Sequence, residues 1–401
     1  GDIAAFNECG KIKTPNIDLL ARGGMKFTDS HACSALCTPS RYGLLTGRYN
    51  WRSRLKFLVL PGDSHTLIEK DRMTIADVFK KADYNTACVG KWHLGLEWAI
   101  NKEPKPEDFG EDPAMYKNYI PRTDTEPYVD MDKVPRISGL DIDYTKPIAY
   151  GPNQYGFDYF YGLPASLDQP PYVYIENDRI IELPDHMTGE VQLDRDTGSM
   201  MDQWQRGPTA PSYDHEKVLD DMNDKVIELI ESYSEKEEPF FIYYPTPAVH
   251  GPLLPNEKNK GRSGINAYAD IVMQLDDMVG QITKKLEEKN ILEDTIFIFT
   301  SDNGCSGVAD YPTLLLNGHN PSYKFRGKKF SIYEGGHRVP TIVHYPKLIE
   351  ANSICESNVC HTDFLRTFAE LLQVELPQNA AEDSFSNLNL WKQTGDCDRK
   401  A

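Results

Sequence analysis

The sequence is poor in cysteine, in positive charge and in long apolar runs. Eight cysteines in 401 residues are too few for disulfides to form the scaffold, although Cys355 and Cys360, in one polar loop, could pair. The 43 lysines and arginines are outnumbered by 61 acidic residues, which gives a net charge of −18. This balance argues against nucleic acid as a partner, because phosphate backbones bind basic surfaces. No apolar run approaches the ~20 residues that a membrane span needs, so we expect no membrane partner.

What the sequence does contain is a regular alternation of helical and strand patterns. Apolar spacing predicts helices over 73–83, 214–236, 266–290 and 361–374, and short apolar runs predict strands over 84–90, 239–244, 295–300 and 339–346. Short apolar strands separated by helices are typical of an α/β fold with a mostly parallel central sheet and helices on both faces. In such folds, ligands bind at the carboxyl ends of the strands.

Polar side chains follow three of these predicted strands directly. The segment "GKWHLG" carries Lys91 and His93, "PAVHGP" carries His250, and "SDNG" carries Asp302 and Asn303. Asp-Asn-Gly alone is strong turn chemistry. Its place directly after a buried strand nevertheless favours a ligand-binding role, and the three segments together predict one site at this edge of the sheet.

The segment "CSALCTPSRYGLLTGR", residues 33–48, carries two cysteines four positions apart. Pro39 favours the first turn of a helix that runs to about Thr46, with Gly47 closing it. Cys37 then lies at a helix N-terminus, where backbone N–H groups and the helix dipole favour an anion. Taken alone, this cysteine is either a nucleophilic thiolate of low pKa or a buried structural residue.

The same segment resembles the signature of the formylglycine-dependent sulfatases, because C-x-P-S-R followed by L-T-G-R agrees at eight positions in twelve. Further segments resemble that family in the same order along the chain: "TPNIDLLARGG", "GKWHLG", "YGLPASLDQPPY", "PAVHGP", "FTSDNG", "RGKKFSIYEGGHRVP" and "DFLRTFAELL". The resemblance implies an alkaline-phosphatase-like α/β fold and a sulfuric ester hydrolase. It also implies that Cys37 is a precursor, which a formylglycine-generating or sulfatase-maturating enzyme oxidises to formylglycine. Cys37 would then not pair with Cys33.

The resemblance implies a role for each residue of the predicted site. The implied catalytic residues are Cys37, Arg41, Lys91, His93, Ser166, His250 and Lys329. The implied metal is Ca²⁺, which would take oxygen from Asp302, Asn303 and the modified Cys37. The two lysines would neutralise sulfate, while His250 would protonate the leaving sugar oxygen and His93 would act as the base that triggers sulfate release.

Two of these assignments have alternatives at the sequence level. Counting back from Tyr333-Glu334-Gly335-Gly336 places the second sulfate-binding lysine at Lys329 rather than at Lys328. Ser166 lies in an irregular loop, where a serine either supplies a hydroxyl to the site or faces solvent.

Substrate identity depends on the loops. "DQPPYVYIEND" and "NGHNPSYKFRGKKF" resemble bacterial relatives of the N-acetylgalactosamine-6-sulfatase and arylsulfatase A branch, which act on sulfated galactose or N-acetylgalactosamine. Asp168, His319 and Arg338 are our candidates for contacts with sugar hydroxyls, and ordinary turn and packing roles are equally consistent with them. The resemblance further implies a periplasmic or secreted protein whose signal peptide has been removed.

The sequence departs from the family at both ends. Two further acidic metal ligands are expected in an Asp-Asp pair just before a Gly-Tyr-Gly-Asp stretch, and Gly1-Asp2 resembles the end of that stretch. We therefore expect residues 1–375 to form the catalytic α/β domain without its first strand. Residues 376–401 would begin a C-terminal antiparallel subdomain that is largely missing. Such a chain should bind Ca²⁺ poorly and turn over little.

Two other functions remain open from the sequence. A hydrolase of phosphate or phosphonate esters from the same superfamily would use a formylglycine, threonine or serine nucleophile, although two lysines with a single cation site favour sulfate. A non-catalytic relative would bind sulfated glycans without hydrolysing them.

Overall fold

Helices and strands alternate along the chain in a computed structural model, which describes residues 1–56, 58–101, 139–190, 202–397 and 399. The helices are α1 (Pro15–Gly23), α2 (Cys37–Thr46), α3 (Ile75–Lys81), α4 (Val218–Tyr233), α5 (Ala267–Glu288), α6 (Tyr311–Leu316), α7 (Glu334–His337), α8 (Asp363–Leu371) and α9 (Leu388–Trp391). The strands are β1 (Met25–Phe27), β2 (Ser30–His31), β3 (Asn85–Lys91), β4 (Tyr159–Leu163), β5 (Ile175–Glu176), β6 (Arg179–Ile180), β7 (His186–Thr188), β8 (Gly207–Thr209), β9 (Phe240–Tyr243), β10 (Phe297–Phe299), β11 (Thr341–His344), β12 (Ser353–Cys355) and β13 (Val359–Cys360). Every predicted helix and strand therefore exists; most are shortened by a few residues at their ends, whereas β3 keeps its predicted length and is shifted by one residue.

The larger strands form two sheets. The five-stranded sheet has the order β6-β5-β4-β3-β9, with β4, β3 and β9 parallel at its centre and edge and the β4-β5-β6 pairs antiparallel. The four-stranded sheet has the order β10-β11-β1-β12, in which only β1 and β12 are parallel. The α/β class is confirmed, and the sheet is mixed and divided where the sequence predicted one mostly parallel sheet.

A large cavity lies between the two sheets. Strands β9 and β10 are the end strands of the two sheets, and both line a cavity of about 1400 Å³. Apolar side chains of α4 and α5, among them Ile230 and Ile282, line it as well. The residues of β9 and β10 are consequently half-buried, although their sequences are typical of fully buried strands.

Two groups of helices cover the five-stranded sheet. Helices α2, α3 and α8 pack together, α1, α4 and α5 pack together, and both α3 and α4 contact β3. Helices on both faces were predicted from the alternation of short apolar strands with amphipathic segments. In the part of the chain that the structure describes, no helix combines the length and apolarity that crossing a membrane requires.

Helix α2 holds position 37 in place. It begins at Cys37, has Pro39 in its first turn, and is buried at nine of its ten residues. Gly47 ends it in the left-handed region, at φ +63°, and donates its N–H to the Gly43 carbonyl at 2.9 Å. The predicted helix is therefore confirmed at both ends, and a buried helix fixes the cysteine more firmly than a loop would.

The segment after residue 375 shares the main core. Trp391 of α9 is almost fully buried and packs edge-on against Phe368 of α8, with ring centroids 5.6 Å apart. That residues 376–401 begin a separate subdomain stays a prediction.

The left-handed glycine that ends α2 yields a stability test. A Cβ at Gly47 would lie 3.0–3.2 Å from atoms of Ala381 and Ser384, whereas a Cβ at Gly261 (φ +74°) would meet nothing within 4 Å. Both Gly→Ala changes pay the left-handed strain of about 1–2 kcal/mol. We expect Gly47→Ala to lower the free energy of unfolding by at least about 1 kcal/mol more than Gly261→Ala, because crowding adds to strain. Urea denaturation measures the difference, and equal losses would contradict it.

Candidate active site

The predicted site residues converge at the carboxyl ends of three strands. Lys91 ends β3, and the loops that follow β9 and β10 carry His250 and Asp302. The polar end of the large cavity is lined by Cys37, Arg41, Lys91, His250, Asp302, Asn303 and Lys329. This is the edge at which α/β sheets bind ligands, so the fold brings most of the predicted residues together.

An ion pair between buried Arg41 and half-buried Asp302 joins three segments of the site. The Nε and Nη2 atoms of Arg41 donate to Asp302 Oδ2 at 2.9 and 2.8 Å, and its Nη1 donates to the Lys91 carbonyl at 2.6 Å. Burial alone would lower the pKa of Arg41, but the Asp302 carboxylate outweighs it and raises that pKa. Burial would likewise raise the pKa of Asp302, yet Arg41 and the two lysines hold it well below its usual range. Both groups are therefore charged.

Cys37 lies beside the turn that carries the predicted metal ligands. Its Sγ is 3.4 Å from Asn303 Oδ1, to which the thiol donates. The Asn303 Nδ2 donates to the Gly304 carbonyl at 2.9 Å, which turns the amide oxygen toward the cysteine. The side-chain atom bonded to the Cβ of residue 37 thus lies at the N-terminus of α2, next to the amide oxygen of Asn303.

Two buried lysines face this position. Lys91 is 1 % exposed, and burial lowers its pKa. Burial would also lower the pKa of Lys329, but Cys37, Asp302 and Asp168 nearby raise it. Lys328, the alternative in the sequence, instead lies over the ring of Tyr311, with Nζ 5.4 Å from the centroid. The structure therefore brings Lys329 into the cluster, in agreement with the position predicted by counting.

His93 is held as a neutral imidazole with one free nitrogen. Its Nε2 donates to the Leu60 carbonyl at 2.8 Å, and among the described residues its buried Nδ1 finds no hydrogen-bond partner. Burial, followed by Lys91 and Arg41, holds its pKa well below the usual range. A neutral ring with an unprotonated nitrogen can accept a proton, as the predicted base must.

His250 is also neutral in this structure. Its Nδ1 donates to the Gly251 carbonyl at 2.8 Å, and burial together with Lys329 and Lys91 holds its pKa well below the usual range. A general acid must carry a proton, so the predicted role needs a negative charge in the site to offset the lysines. The Asp168 carboxylate lies 3.7 Å from His250 Nδ1, a position that supports the charged ring; its predicted contact with a sugar stays a prediction.

Ser166 is buried next to this cluster rather than exposed. It is 4 % exposed, in the segment that continues β4. The Leu163 and Pro164 carbonyls of that segment accept hydrogen bonds from the Trp92 and His93 N–H groups at 3.0 and 3.1 Å. The loop is therefore fixed beside the site, and a contact between the hydroxyl and substrate stays a prediction.

His319 does not reach the cavity. It is fully buried, its Nδ1 accepts from the Lys11 N–H at 3.0 Å, and its Nε2 donates to Asp2 Oδ1 at 2.9 Å. Both ring nitrogens thus hold the N-terminal segment, which is inconsistent with the predicted contact to a sugar hydroxyl.

Arg338 does line the cavity, but the protein already engages its guanidinium. The Nε and Nη2 atoms donate to the Thr28 carbonyl at 3.0 and 2.7 Å, and Nη1 donates to Glu334 Oε2 at 2.7 Å. A substrate contact by Arg338 stays a prediction, and it would compete with these bonds.

The sequence reasoning missed His361. This buried residue follows β13 directly, lines the cavity, and has Nε2 2.9 Å from Thr300 Oγ1. Burial lowers its pKa to about 4, although Asp302 acts in the opposite direction. The sequence pattern that points to His361 is the same as for Lys91 and Asp302, a polar residue directly after a strand. Apolar spacing predicts a helix from residue 361, and this prediction hides the short strand before it.

Cys33, four residues before Cys37, faces Cys360. Cys33 Sγ lies 3.9 Å from Cys360 Sγ and packs over Gly43 of α2. Cys355 and Cys360, which the sequence left as a possible pair, are free thiols in this structure.

The side chains near residue 37 offer oxygen atoms, which a hard cation prefers, but they offer few of them. Asp302 is ionised and Asn303 presents its Oδ1 to residue 37. Ca²⁺ takes six to eight oxygens, and these two side chains provide two of them. A calcium ion at this position would therefore depend on further oxygen ligands.

A half-buried carboxylate, two buried lysines and two neutral histidines surround residue 37, and the two lysines suit the binding of an anionic group. The chain belongs to the sulfatase family, since the family profile described as Sulfatase matches residues 4–374. The site residues therefore belong to a sulfuric ester hydrolase.

Relatives and solved structures agree with this assignment. The chain is 32 % identical to an N-acetylgalactosamine-6-O-sulfatase of Bacteroides thetaiotaomicron, over 97 % of this chain and 73 % of the relative. It is 27 % identical to human arylsulfatase A, over 100 % of this chain and 67 % of the relative. A structure from work on the metabolism of multiple glycosaminoglycans by B. thetaiotaomicron superimposes with a TM-score of 0.78 and 31 % identity, over 98 % of this chain and 79 % of that one.

The electrostatic coupling between the lysines and His250 can be measured. Lys329→Met removes a positive charge that lowers the His250 pKa, so that pKa should rise toward its ordinary value while the effect of burial remains. Lys328→Met is the matched control, because that lysine lies over Tyr311. A pH titration of the His250 ring resonances by NMR distinguishes the two. Equal shifts in both variants would show that Lys329 is not the lysine that faces His250.

Proposed function

We propose that this chain hydrolyses sulfate esters of a carbohydrate, using formylglycine made from Cys37 and a bound Ca²⁺. The observation that supports the proposal best is the position of Cys37, which begins a buried helix and is ringed by Arg41, Lys91, Lys329 and Asn303. A structural cysteine needs no such ring of charge. A nucleophile that attacks an anion does, because the surrounding cations offset repulsion between the two.

The two lysines supply the sulfate-binding charge. Lys91 and Lys329 approach position 37 from different segments, so they can contact different oxygens of one sulfate group. As the S–O bond to the sugar breaks, negative charge grows on the sulfate and the leaving oxygen. Cations fixed in a water-poor site stabilise that charge without having to reorganise.

Formylglycine and calcium would each add one element to this chemistry. A formylglycine hydrate at residue 37 would supply a hydroxyl nucleophile together with a second hydroxyl, which allows sulfate to be released with return of the aldehyde. Calcium, held by Asp302, Asn303 and residue 37, would add positive charge beside the sulfate oxygens.

The histidines divide the proton transfers between them. His250, once the negative ester raises its pKa, gives a proton to the departing sugar oxygen, and the carboxylate of Asp168 at 3.7 Å stabilises the charged ring. His93 has its Nε2 fixed by Leu60, so it accepts a proton at Nδ1 during sulfate release.

The proposed substrate class is a galactose-type or N-acetylgalactosamine sulfate from a glycosaminoglycan. It rests on the N-acetylgalactosamine-6-O-sulfatase of B. thetaiotaomicron as a relative and on the glycosaminoglycan context of the similar structure. The same proposal includes a maturation enzyme that converts Cys37, and action in the periplasm or outside the cell.

The chemistry at residue 37 can be tested by mass and by turnover. Protein co-produced with a formylglycine-generating enzyme should lose about 18 Da on the 33–48 peptide, since oxygen replaces sulfur and two hydrogens. It should then hydrolyse N-acetylgalactosamine 6-sulfate and nitrophenyl sulfate faster than nitrophenyl phosphate. Cys37→Ser should stop after one turnover and retain about 80 Da of sulfate, because a serine ester has no second hydroxyl with which to expel it.

The matched control for that variant is Cys9→Ser, since Cys9 is exposed and is not part of the site. It should turn over as fast as the converted wild-type protein. Faster release of nitrophenol from the phosphate than from the sulfate would favour a phosphate ester hydrolase. Tight binding of the sugar sulfate without turnover by the converted protein would favour a glycan-binding protein.

Calcium binding by this chain should be weak. Since the side chains of Asp302 and Asn303 offer few oxygen ligands, we expect a dissociation constant of about 1 mM or weaker and low turnover at micromolar Ca²⁺. Isothermal titration of the chelator-treated protein measures the affinity, and Asp302→Asn should weaken it further. Micromolar calcium affinity with full arylsulfatase activity would contradict the expectation.

A further inference from the structure

A second cluster of metal-binding side chains lies where β2 meets α7. His31 ends β2, and Glu334 and His337 are the first and last residues of α7. One potential ligand atom from each lies within 4.8 Å of the other two, and all three residues are half-buried. Among the described residues, no other group of three histidine, cysteine or acidic side chains meets this distance.

The two histidine rings face each other through their Nδ1 atoms. His31 Nδ1 and His337 Nδ1 are 3.0 Å apart. The His31 Nε2 lies 3.1 Å from Asp29 Oδ1, and the His337 Nε2 lies 3.1 Å from the Ile332 carbonyl. Both of those partners are acceptors, so each Nε2 carries the hydrogen. If both rings are neutral, each Nδ1 is then unprotonated, and either a proton or a metal ion between the two nitrogens removes the repulsion of their lone pairs.

These contacts are those that orient histidines toward a metal. A metal-bound imidazole donates its other N–H to a carboxylate or a backbone carbonyl, and here Asp29 is the first kind and Ile332 the second. Two nitrogens bound to a tetrahedral zinc, each about 2.05 Å from it, are about 3.3 Å apart. An opening of about 0.3 Å between the rings would therefore admit the ion.

Glu334 can complete the donor set. Its Oε2 accepts from Arg338 Nη1 at 2.7 Å, and a carboxylate has a second oxygen for a metal. Arg338 Nη2 also lies 3.0 Å from Asp29 Oδ1, so this arginine holds both the glutamate and the acceptor of His31. Two imidazole nitrogens with one carboxylate are ligands typical of Zn²⁺ and unlike the all-oxygen set of Ca²⁺.

We infer that His31, His337 and Glu334 form a zinc-class metal site separate from the sulfate-binding cluster, with water as a fourth ligand. The site connects two segments that the active site needs. β2 precedes the loop and helix that carry Cys37, and α7 follows the loop that carries Lys329. A metal there stabilises the junction of these segments. The inference does not depend on the proposed sulfatase chemistry.

Binding of the metal alone tests the site in the full chain. Chelator-stripped protein should bind one Zn²⁺, raise its Tm with Zn²⁺, and show ligand-field absorption with Co²⁺ that indicates nitrogen coordination. Of the ten histidines, only His31 and His337 should shift their Nδ1 resonances in NMR spectra on addition of Zn²⁺. Absence of stoichiometric Zn²⁺ binding, or shifts confined to other histidines, would overturn the inference.

Variants locate the bound metal. His337→Gln and Glu334→Gln should each weaken Zn²⁺ at least about tenfold. His186→Gln is the matched control, because His186 also lies beside a carboxylate, with Nδ1 2.7 Å from Asp185 Oδ1, but in an exposed pair. Unchanged Zn²⁺ affinity in folded His337→Gln, or an equal loss in His186→Gln, would place the metal elsewhere and overturn the inference. The wild-type NMR shifts decide the case if His337→Gln does not fold.

Discussion

The ion pair between Arg41 and Asp302 is the contact on which the rest of the site depends. It joins helix α2 to the turn after β10, and the third donor of the same guanidinium reaches the Lys91 carbonyl at the end of β3. Removing either partner would leave the other charge uncompensated. The cost is about 3–5 kcal/mol for a fully buried pair, and the partial exposure of Asp302 reduces it. One side chain thus sets the spacing between helix α2, the turn that carries Asp302 and Asn303, and Lys91.

The same pair explains how a protein of net charge −18 attracts an anion. Asp302 neutralises Arg41, which leaves Lys91 and Lys329 as buried cations facing position 37. Surface acids act through water and salt and are screened within about 10 Å, whereas buried cations are screened much less. The substrate therefore meets a local positive site, and neutral His93 and His250 are consequences of that field as well as of burial.

Sequence patterns predicted the elements better than their assembly. Apolar periodicity gave the helices within a few residues, and polar residues after strands gave Lys91, His250 and Asp302, because both signals are local. The Arg41–Asp302 pair joins residues 261 positions apart, and no local pattern specifies it. The contacts of His319 are non-local for the same reason, since its partners Lys11 and Asp2 lie more than 300 positions away along the chain.

Close backbone packing connects the active site to the inferred metal cluster. The Gly304 N–H donates to the Gly336 carbonyl at 2.8 Å, and a Cβ at Gly304 would overlap the Gly335 carbonyl oxygen. Gly304 follows Asn303, and Gly335 and Gly336 lie between Glu334 and His337. Since no side chain separates these backbones, a shift of α7 moves the turn that carries Asp302 and Asn303. A metal bound by α7 and β2 would therefore limit motion of the turn that carries Asp302 and Asn303 through backbone contact.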